Sequence, residues 1–146
     1  MRKFFVAKGF DEKEVILPKR QTKGSAGYDF SVLSDTEILP HETKLISTGV
    51  KACMNEGEVL KLYARSSLAK KKGLFIANHV GIIDSDYFEN EDNDGHIMIN
   101  VYNFTDKAVK VFRGDRIAQG IFQQYLTVDD DTACGSRNGG FGSTTK

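Results

Sequence analysis

The sequence lacks nearly everything that would mark a chain as membrane-bound, disulfide-built, metal-built or held on nucleic acid by bulk charge. No apolar run approaches the roughly 20 residues needed to span a bilayer. The N-terminus, MRKFFVAKGFDEKEV, follows two basic residues with only four apolar ones. A secretory signal needs roughly 7–15 apolar residues, so this stretch reads as a first β-strand. Two cysteines, Cys53 and Cys134, are too few for a disulfide framework. No C-x-x-C occurs, and three scattered histidines give no zinc spacing. The expectation is a cytoplasmic protein with reduced thiols. Twenty Lys+Arg balance twenty Asp+Glu, for a formal charge of zero. The basic surplus that would hold a chain on DNA or a membrane surface is missing, although a local basic patch stays open.

What is present suits one soluble globular domain. At 146 residues, a chain can bury about 70% of its unfolded surface and needs no staples. A 40% hydrophobic and 27% charged composition is that of a folded protein, not a disordered one.

Two-residue periodicity dominates, broken by turns. Residues 4–7 form a short apolar run. Tyr28, Phe30 and Val32 alternate with Asp29, Ser31 and Leu33. Residues 44–50 follow Pro40 and His41 as another strand. Val59, Lys61 and Tyr63 alternate with Leu60, Leu62 and Ala64, and Ile97, Ile99 and Val101 with Met98, Asn100 and Tyr102. Val109 and Val111 repeat the pattern, and residues 117–125 add one more strand. Turn signals lie at Asn55-Glu56-Gly57, Asn93-Asp94-Gly95 and Arg113-Gly114-Asp115. Many short strands at such spacing predict a sandwich, barrel or jelly roll. One short helix is expected over residues 68–72, capped by Ser66-Ser67 and ended by Gly73.

The core is expected to run over residues 1–128 and an arm over 129–146. The arm, DDDTACGSRNGGFGSTTK, has Phe141 as its only large side chain, too little to offset its ordering entropy alone. It reads either as a frayed terminus or as a phosphate-binding arm. Successive glycine N–H groups can cradle an anion, and Arg137, Ser143 and Thr144 add donors. The G-x-x-x-x-G-K-[ST] loop is absent.

Two carboxylates, Asp84 and Asp86, follow the apolar run Gly81-Ile82-Ile83 and precede Tyr87. Asp84 is the better candidate for chemistry: a carboxylate acts as general base once it holds a water within hydrogen-bond reach of the reacting atom. Residues 89–94 read as a solvated acidic loop. Arg65-Ser66-Ser67 reads either as an anion site at a helix start or as a surface arginine beside capping serines. Lys70–Lys72 read as a solvated face. Gln119 points into a cleft or to solvent. Asp29 reads as a structural hydrogen-bonder or as a metal holder acting through water.

Taken in order, Ala26-Gly27-Tyr28-Asp29, Arg65-Ser66-Ser67, Gly81-Ile82-Ile83-Asp84-Ser85-Asp86-Tyr87, Gly114-Asp115-Arg116-Ile117-Ala118-Gln119 and Arg137-Asn138-Gly139-Gly140-Phe141-Gly142-Ser143 resemble the five motifs of the trimeric deoxyuridine triphosphatases (dUTPases) of bacterial or phage type. The resemblance covers residues 24–144. It implies an all-β, distorted jelly-roll or β-clip-like subunit with one short helix. It also implies a homotrimer whose sites lie between subunits, with the arm closing as a lid over a neighbour's nucleotide. The implied reaction is Mg²⁺-dependent hydrolysis of dUTP to dUMP and pyrophosphate, by water attack on the α-phosphorus. That reaction limits uracil in DNA and supplies dUMP for thymidylate.

By the same resemblance, Asp84 activates the water and Tyr87 packs under the deoxyribose. Asn78, with the backbone through Gly81 and Ile83, forms a hairpin that pairs with uracil. Arg65, Ser66, Ser67 and Gln119 contact the phosphates. Phe141 stacks on the base beside Gly142, and Arg137, Ser143 and Thr144 clamp the γ-phosphate. Asp29 helps hold Mg²⁺ through water, and Asp86 supports Arg65. No membrane and no direct nucleic-acid contact is implied; a phage-encoded member leaves room for a regulatory protein partner.

The sequence departs from the family pattern after Tyr87. A stretch at residues 88–95 replaces the usual short turn and is expected to form a surface hairpin near the sugar-binding side. Position 67 is serine where many members have glycine. The alternatives are a dCTP deaminase-like enzyme of the same fold and a nucleotide-sensing regulatory protein. The first needs a base at the pyrimidine C4 and a pocket accepting an amino group. As for the second, intact Asp84, Tyr87 and Phe141 argue against lost catalysis while leaving room for a second binding role.

Overall fold

A computed structural model describes residues 1–137 and 139–140. The strands fall where the alternation predicts them. They are β1 (Lys3–Val6), β2 (Tyr28–Ser31), β3 (Thr36–Ile38), β4 (Thr43–Cys53) and β5 (Glu58–Ala64), then β6 (Leu74–Ile76), β7 (Gly81–Asp84), β8 (Ile97–Asn103), β9 (Val109–Val111) and β10 (Arg116–Gln124). Two of these, β3 and β6, show no alternation: Thr36-Glu37-Ile38 has one apolar residue and Leu74-Phe75-Ile76 is apolar throughout, whereas β9, equally short, alternates as Val-Lys-Val.

Two antiparallel four-stranded sheets, ordered β1-β4-β8-β6 and β2-β10-β5-β7, face each other, with a small β3-β9 ribbon beside them. Consecutive strands are rarely neighbours, as a jelly roll requires. Alternation sets the core. On β8, Ile97, Ile99, Val101 and Asn103 point inward while Met98, Asn100 and Tyr102 are only half-buried. They meet Phe30, Leu60 and Ile117 from the opposite sheet, all fully buried. Asn103 is tolerated there because its carboxamide is fully used: Nδ2 donates to the carbonyls of Ile38, Leu39 and Lys107, and Oδ1 accepts from Thr105.

The helix α1 (Leu68–Lys72) lies where expected, but its cap differs. Ser67 at the N-cap has helical dihedrals (φ −90°, ψ −9°) and makes no side-chain capping bond. Leu68, 3% exposed, anchors the helix instead. Lys70–Lys72 fall in the last turn, where cations suit the helix dipole. Lys72 is not merely solvated, since it pairs with Asp115 at 2.9 Å.

Candidate active site

Strand β7 pairs with β5, setting Asp84 opposite Val59 and Gly81 opposite Leu62. Alternation sends Gly81 and Ile83 inward and leaves Ile82 and Asp84 exposed. A 3-10 turn, Ser85–Tyr87, follows. It sets Asp86 beside Asp84 and folds the Tyr87 ring back into the protein, 6% exposed. The Tyr87 hydroxyl donates to the His96 carbonyl at 2.9 Å and accepts from Asn93 Nδ2 at 2.8 Å. Burial holds its pKa above the ordinary phenol value, so it stays neutral.

The predicted hairpin is not one. β6 pairs with β8 and β7 with β5, so the turn through Asn78 crosses from one sheet to the other. The splay opens a mostly apolar pocket of about 540 Å³, lined by Asn78, Gly81, Ile83, Met98 and Asn100 among others. Met98 and Asn100 escaped the sequence reading because alternation marks them only as the outward face of β8. Asn100 Oδ1 is the one buried side-chain polar atom without a partner among the described residues. It is an acceptor left for a ligand N–H or a water to satisfy.

A second group sits at the far end of β5. Asp29 is buried, 8% exposed, and its two oxygens take Arg65 Nε at 3.1 Å and Arg116 Nη1 at 3.2 Å. Gln119 Nε2 donates to the Ala64 carbonyl at 3.1 Å. Arg65, Ser67 and Arg116 line a shallow pocket of about 270 Å³, while Ser66 is exposed at its edge. Within one chain Asp86 does not meet Arg65. Arg65 bonds to Asp29, and Asp86 is taken by Arg137, because β5 separates the two groups by its own length. Both oxygens of Asp29 meet guanidiniums, which does not suit direct metal ligation; the role expected from the resemblance acts through water. No group of three His, Cys, Asp or Glu among the described residues could hold a metal.

Arg137, at the start of the arm, meets Asp84 and Asp86 of the same chain. Arg137 Nη2 meets Asp84 Oδ2 at 2.7 Å, and Nε meets Asp86 Oδ1 at 2.9 Å. Its guanidinium stands 5.9 Å from the centre of the Tyr87 ring. Phe141, Gly142, Ser143 and Thr144 lie outside the described residues, as does Asn138.

The stretch at residues 88–95 is neither a hairpin nor a plain solvated loop. Asn90, 8% exposed, donates to the Tyr87 carbonyl and to Asn93 Oδ1, both at 2.8 Å. Lys51 of β4 reaches Glu89 at 2.9 Å and Asp94 at 2.8 Å. Burial alone would raise the Asp94 pKa, but the Lys51 ammonium and the Lys8 backbone N–H outweigh it and hold it low. No spacing rule marks such a knot, since its partners come from β4 and the N-terminal segment.

A jelly roll with an exposed carboxylate on the strand that lines an apolar pocket, beside a cleft lined by Asp84, Asp86 and Arg137, presents the kind of site found in enzymes acting on small molecules. The comparisons specify which. The dUTPase family pattern matches residues 13–145. The deoxyuridine 5′-triphosphate nucleotidohydrolase of Lactococcus lactis is 45% identical over 146 residues, covering 99% of this chain and 97% of its own. The crystal structure of the Streptococcus mutans dUTPase superposes with a TM-score of 0.83 at 44% identity, over 86% of this chain and 98% of that one. A dUTPase mutant from phage phi11 of S. aureus, described as coordinating a structural Mg(II) ion, shares the fold alone, with a TM-score of 0.74 at 21% identity over 91% of this chain and 96% of its own. The chain belongs to the dUTPase family.

Proposed function

We propose that this chain is a dUTP nucleotidohydrolase, cleaving dUTP to dUMP and pyrophosphate. The observation that carries the reading is the placement of Asp84. It is exposed at the C-terminal end of a strand whose inward residues, Gly81 and Ile83, line the base-sized pocket. Uracil enters between β7 and β8, where exposed backbone polar groups after Asn78 and the free Asn100 acceptor can read its edge. Tyr87 supports the sugar. The α-phosphorus then lies at the mouth, where Asp84 holds the attacking water and takes its proton. Asp84 carries the general-base role, and the oxygen of that water becomes part of dUMP as pyrophosphate leaves.

Geometry also supports a homotrimer. Arg65 follows Ala64, five residues along β5 from Val59, the partner of Asp84. At strand rise this is about 17 Å, and the base pocket lies on the same side of Asp84 as Arg65. Phosphates leaving Asp84 therefore run away from their own chain's Arg65, Ser66, Ser67 and Gln119. A second copy must bring these groups, and a trimer with shared sites does so. Asp29 then acts by pre-orienting Arg65 and Arg116, not as a ligand. Mg²⁺ enters as part of the substrate, bound to the triphosphate oxygens. Phe141, Ser143 and Thr144 are assigned to base stacking and phosphate clamping by family resemblance.

The test is pyrophosphate release from dUTP, dCTP, dTTP and UTP with Mg²⁺, comparing wild type with Asp84→Asn. Release from dUTP alone, reduced on the order of 10²–10⁴-fold in the variant, is expected. Ammonia release from dCTP would indicate the deaminase chemistry instead.

A further inference from the structure

The insert at residues 88–95 follows Tyr87 directly, and its side chains turn back onto that residue. Asn93 Oδ1 accepts from Asn90 Nδ2 at 2.8 Å and from the Gly95 N–H at 3.2 Å. Two donors on one atom settle which end of the carboxamide is the oxygen, so it is Nδ2 that reaches the Tyr87 hydroxyl, at 2.8 Å. That hydroxyl accepts from Asn93, and its single proton goes to the His96 carbonyl at 2.9 Å. Both partners are themselves held. Asn90 Oδ1 accepts the backbone N–H groups of Asp92 and Asn93 at 3.1 and 3.2 Å. His96 Nε2 accepts the Gly49 N–H of β4 at 3.0 Å, and Lys51 of β4 pairs with Glu89 and Asp94. The Tyr87 ring is thus tied by its oxygen between the insert and the residue that enters β8. Tyr87, Asn90 and His96 are all buried within the single subunit, so the clamp needs no neighbouring copy.

We propose that Asn93 is a positioning residue for sugar selection: by donating to the Tyr87 hydroxyl it fixes the ring where a 2′-hydroxyl would have to sit. A ring held by packing alone yields by tilting about its Cα–Cβ bond. A ring held also at its far oxygen does not yield, and only an unyielding ring rejects one extra oxygen on the sugar. The selection rests on the reading that Tyr87 supports the sugar; the clamp rests on the hydrogen bonds alone.

Asn93→Asp tests this with little change of shape. It keeps the oxygen that accepts from Asn90 and Gly95, so the insert stays built, but it turns an acceptor toward Tyr87 where a donor stood. The phenol proton is then drawn to the new carboxylate and away from the His96 carbonyl. Pyrophosphate release from dUTP and UTP reads the effect. The ratio of kcat/KM for dUTP over UTP should fall about tenfold, the worth of one hydrogen bond, with kcat for dUTP near the wild-type value. In a Tyr87→Phe background the same substitution should leave the ratio unchanged, because the oxygen it acts on is gone. An unaltered ratio in the first background, or an equal fall in both, overturns the proposal. Tyr87→Phe alone keeps the ring and should lower the ratio several-fold; an unchanged ratio there overturns it as well, whether or not Asn93→Asp folds. Two further measurements separate the clamp from the functional reading. A ratio unchanged in Tyr87→Ala overturns the placement of Tyr87 against the sugar, and sugar selection with it. Thermal unfolding of the nucleotide-free protein, at one protomer concentration, decides the clamp by itself. The Tm losses of Asn93→Asp and Tyr87→Phe should together exceed that of the double variant, and additive losses overturn the clamp.

Discussion

Replacing Gly95 by alanine strikes the turn that carries the chain from the insert back into β8. Gly95 has φ +80°, and a Cβ there would lie 2.7 Å from the Tyr87 carbonyl oxygen, 3.0 Å from the Glu89 nitrogen and 3.1 Å from Phe88 Cα. All three are backbone atoms and cannot rotate away. Gly114 offers the matching control: φ is +87°, but the nearest atom is Ile16 Cδ1 at 3.8 Å. Both substitutions carry the left-handed penalty of roughly 1–2 kcal/mol. Only Gly95→Ala adds a collision, worth about 1–3 kcal/mol more. The two variants should therefore differ by about 2 kcal/mol, or roughly 4–8 °C in Tm for a chain of this size. Thermal unfolding at one fixed protomer concentration reads the difference, since assembly makes stability depend on concentration. Because the displaced carbonyl belongs to Tyr87, kcat/KM should fall in Gly95→Ala and hold in Gly114→Ala. Equal losses of stability would refute the argument that the backbone of residues 87–89 is fixed around Gly95.

Three further outcomes follow from the same geometry. Asp29→Asn removes the charge that orients Arg65 and Arg116; KM for dUTP should rise about tenfold, equivalent to roughly 1.4 kcal/mol, with a smaller change in kcat, read by steady-state kinetics. Lys51→Met leaves Asp94 facing a half-buried site without its cation, and urea unfolding should show a loss of about 2–3 kcal/mol, below that of a fully buried pair. The folded Asp94 pKa is lowered, so its contribution is complete above the ordinary carboxylate value and fades as pH falls through the folded one; the loss in Lys51→Met should shrink in that acid range. Burial holds the His96 pKa below the ordinary 6.5, and its Nε2 accepts the Gly49 N–H at 3.0 Å. Between the folded value and 6.5 the unfolded chain binds the extra proton, so stability should decline as pH falls below about 6.5, and Tm of His96→Gln should lose that slope.

Much of this protein is legible in its sequence because much of it is local. Ile97, Ile99 and Val101 face inward because strand side chains alternate, and the pattern needs no knowledge of the partner. The strands β3 and β6 hide because one has a single apolar residue and the other is apolar throughout, so neither alternates as Val109-Lys110-Val111 does. The helix at Leu68 was legible, but its serine cap was not realised, because burial of Leu68 fixes the helix start without it. The five ordered motifs made the family legible, since they depend on residue type and spacing along the chain.

The sequence by itself determined the strand-rich class, the inward faces of the long strands and the family to which Asp84 and Tyr87 belong. Only the tertiary structure decided which group each charge meets. Within one chain Arg65 and Asp86 face opposite ends of β5, and Asp29 and Arg137 take them there. The insert read as loose because its composition is acidic, but Lys51, nearly 40 residues away in the chain, pairs with it and fixes it. Ion pairs depend on through-space distance and burial, and neither quantity is written along the chain until the two sheets close on each other.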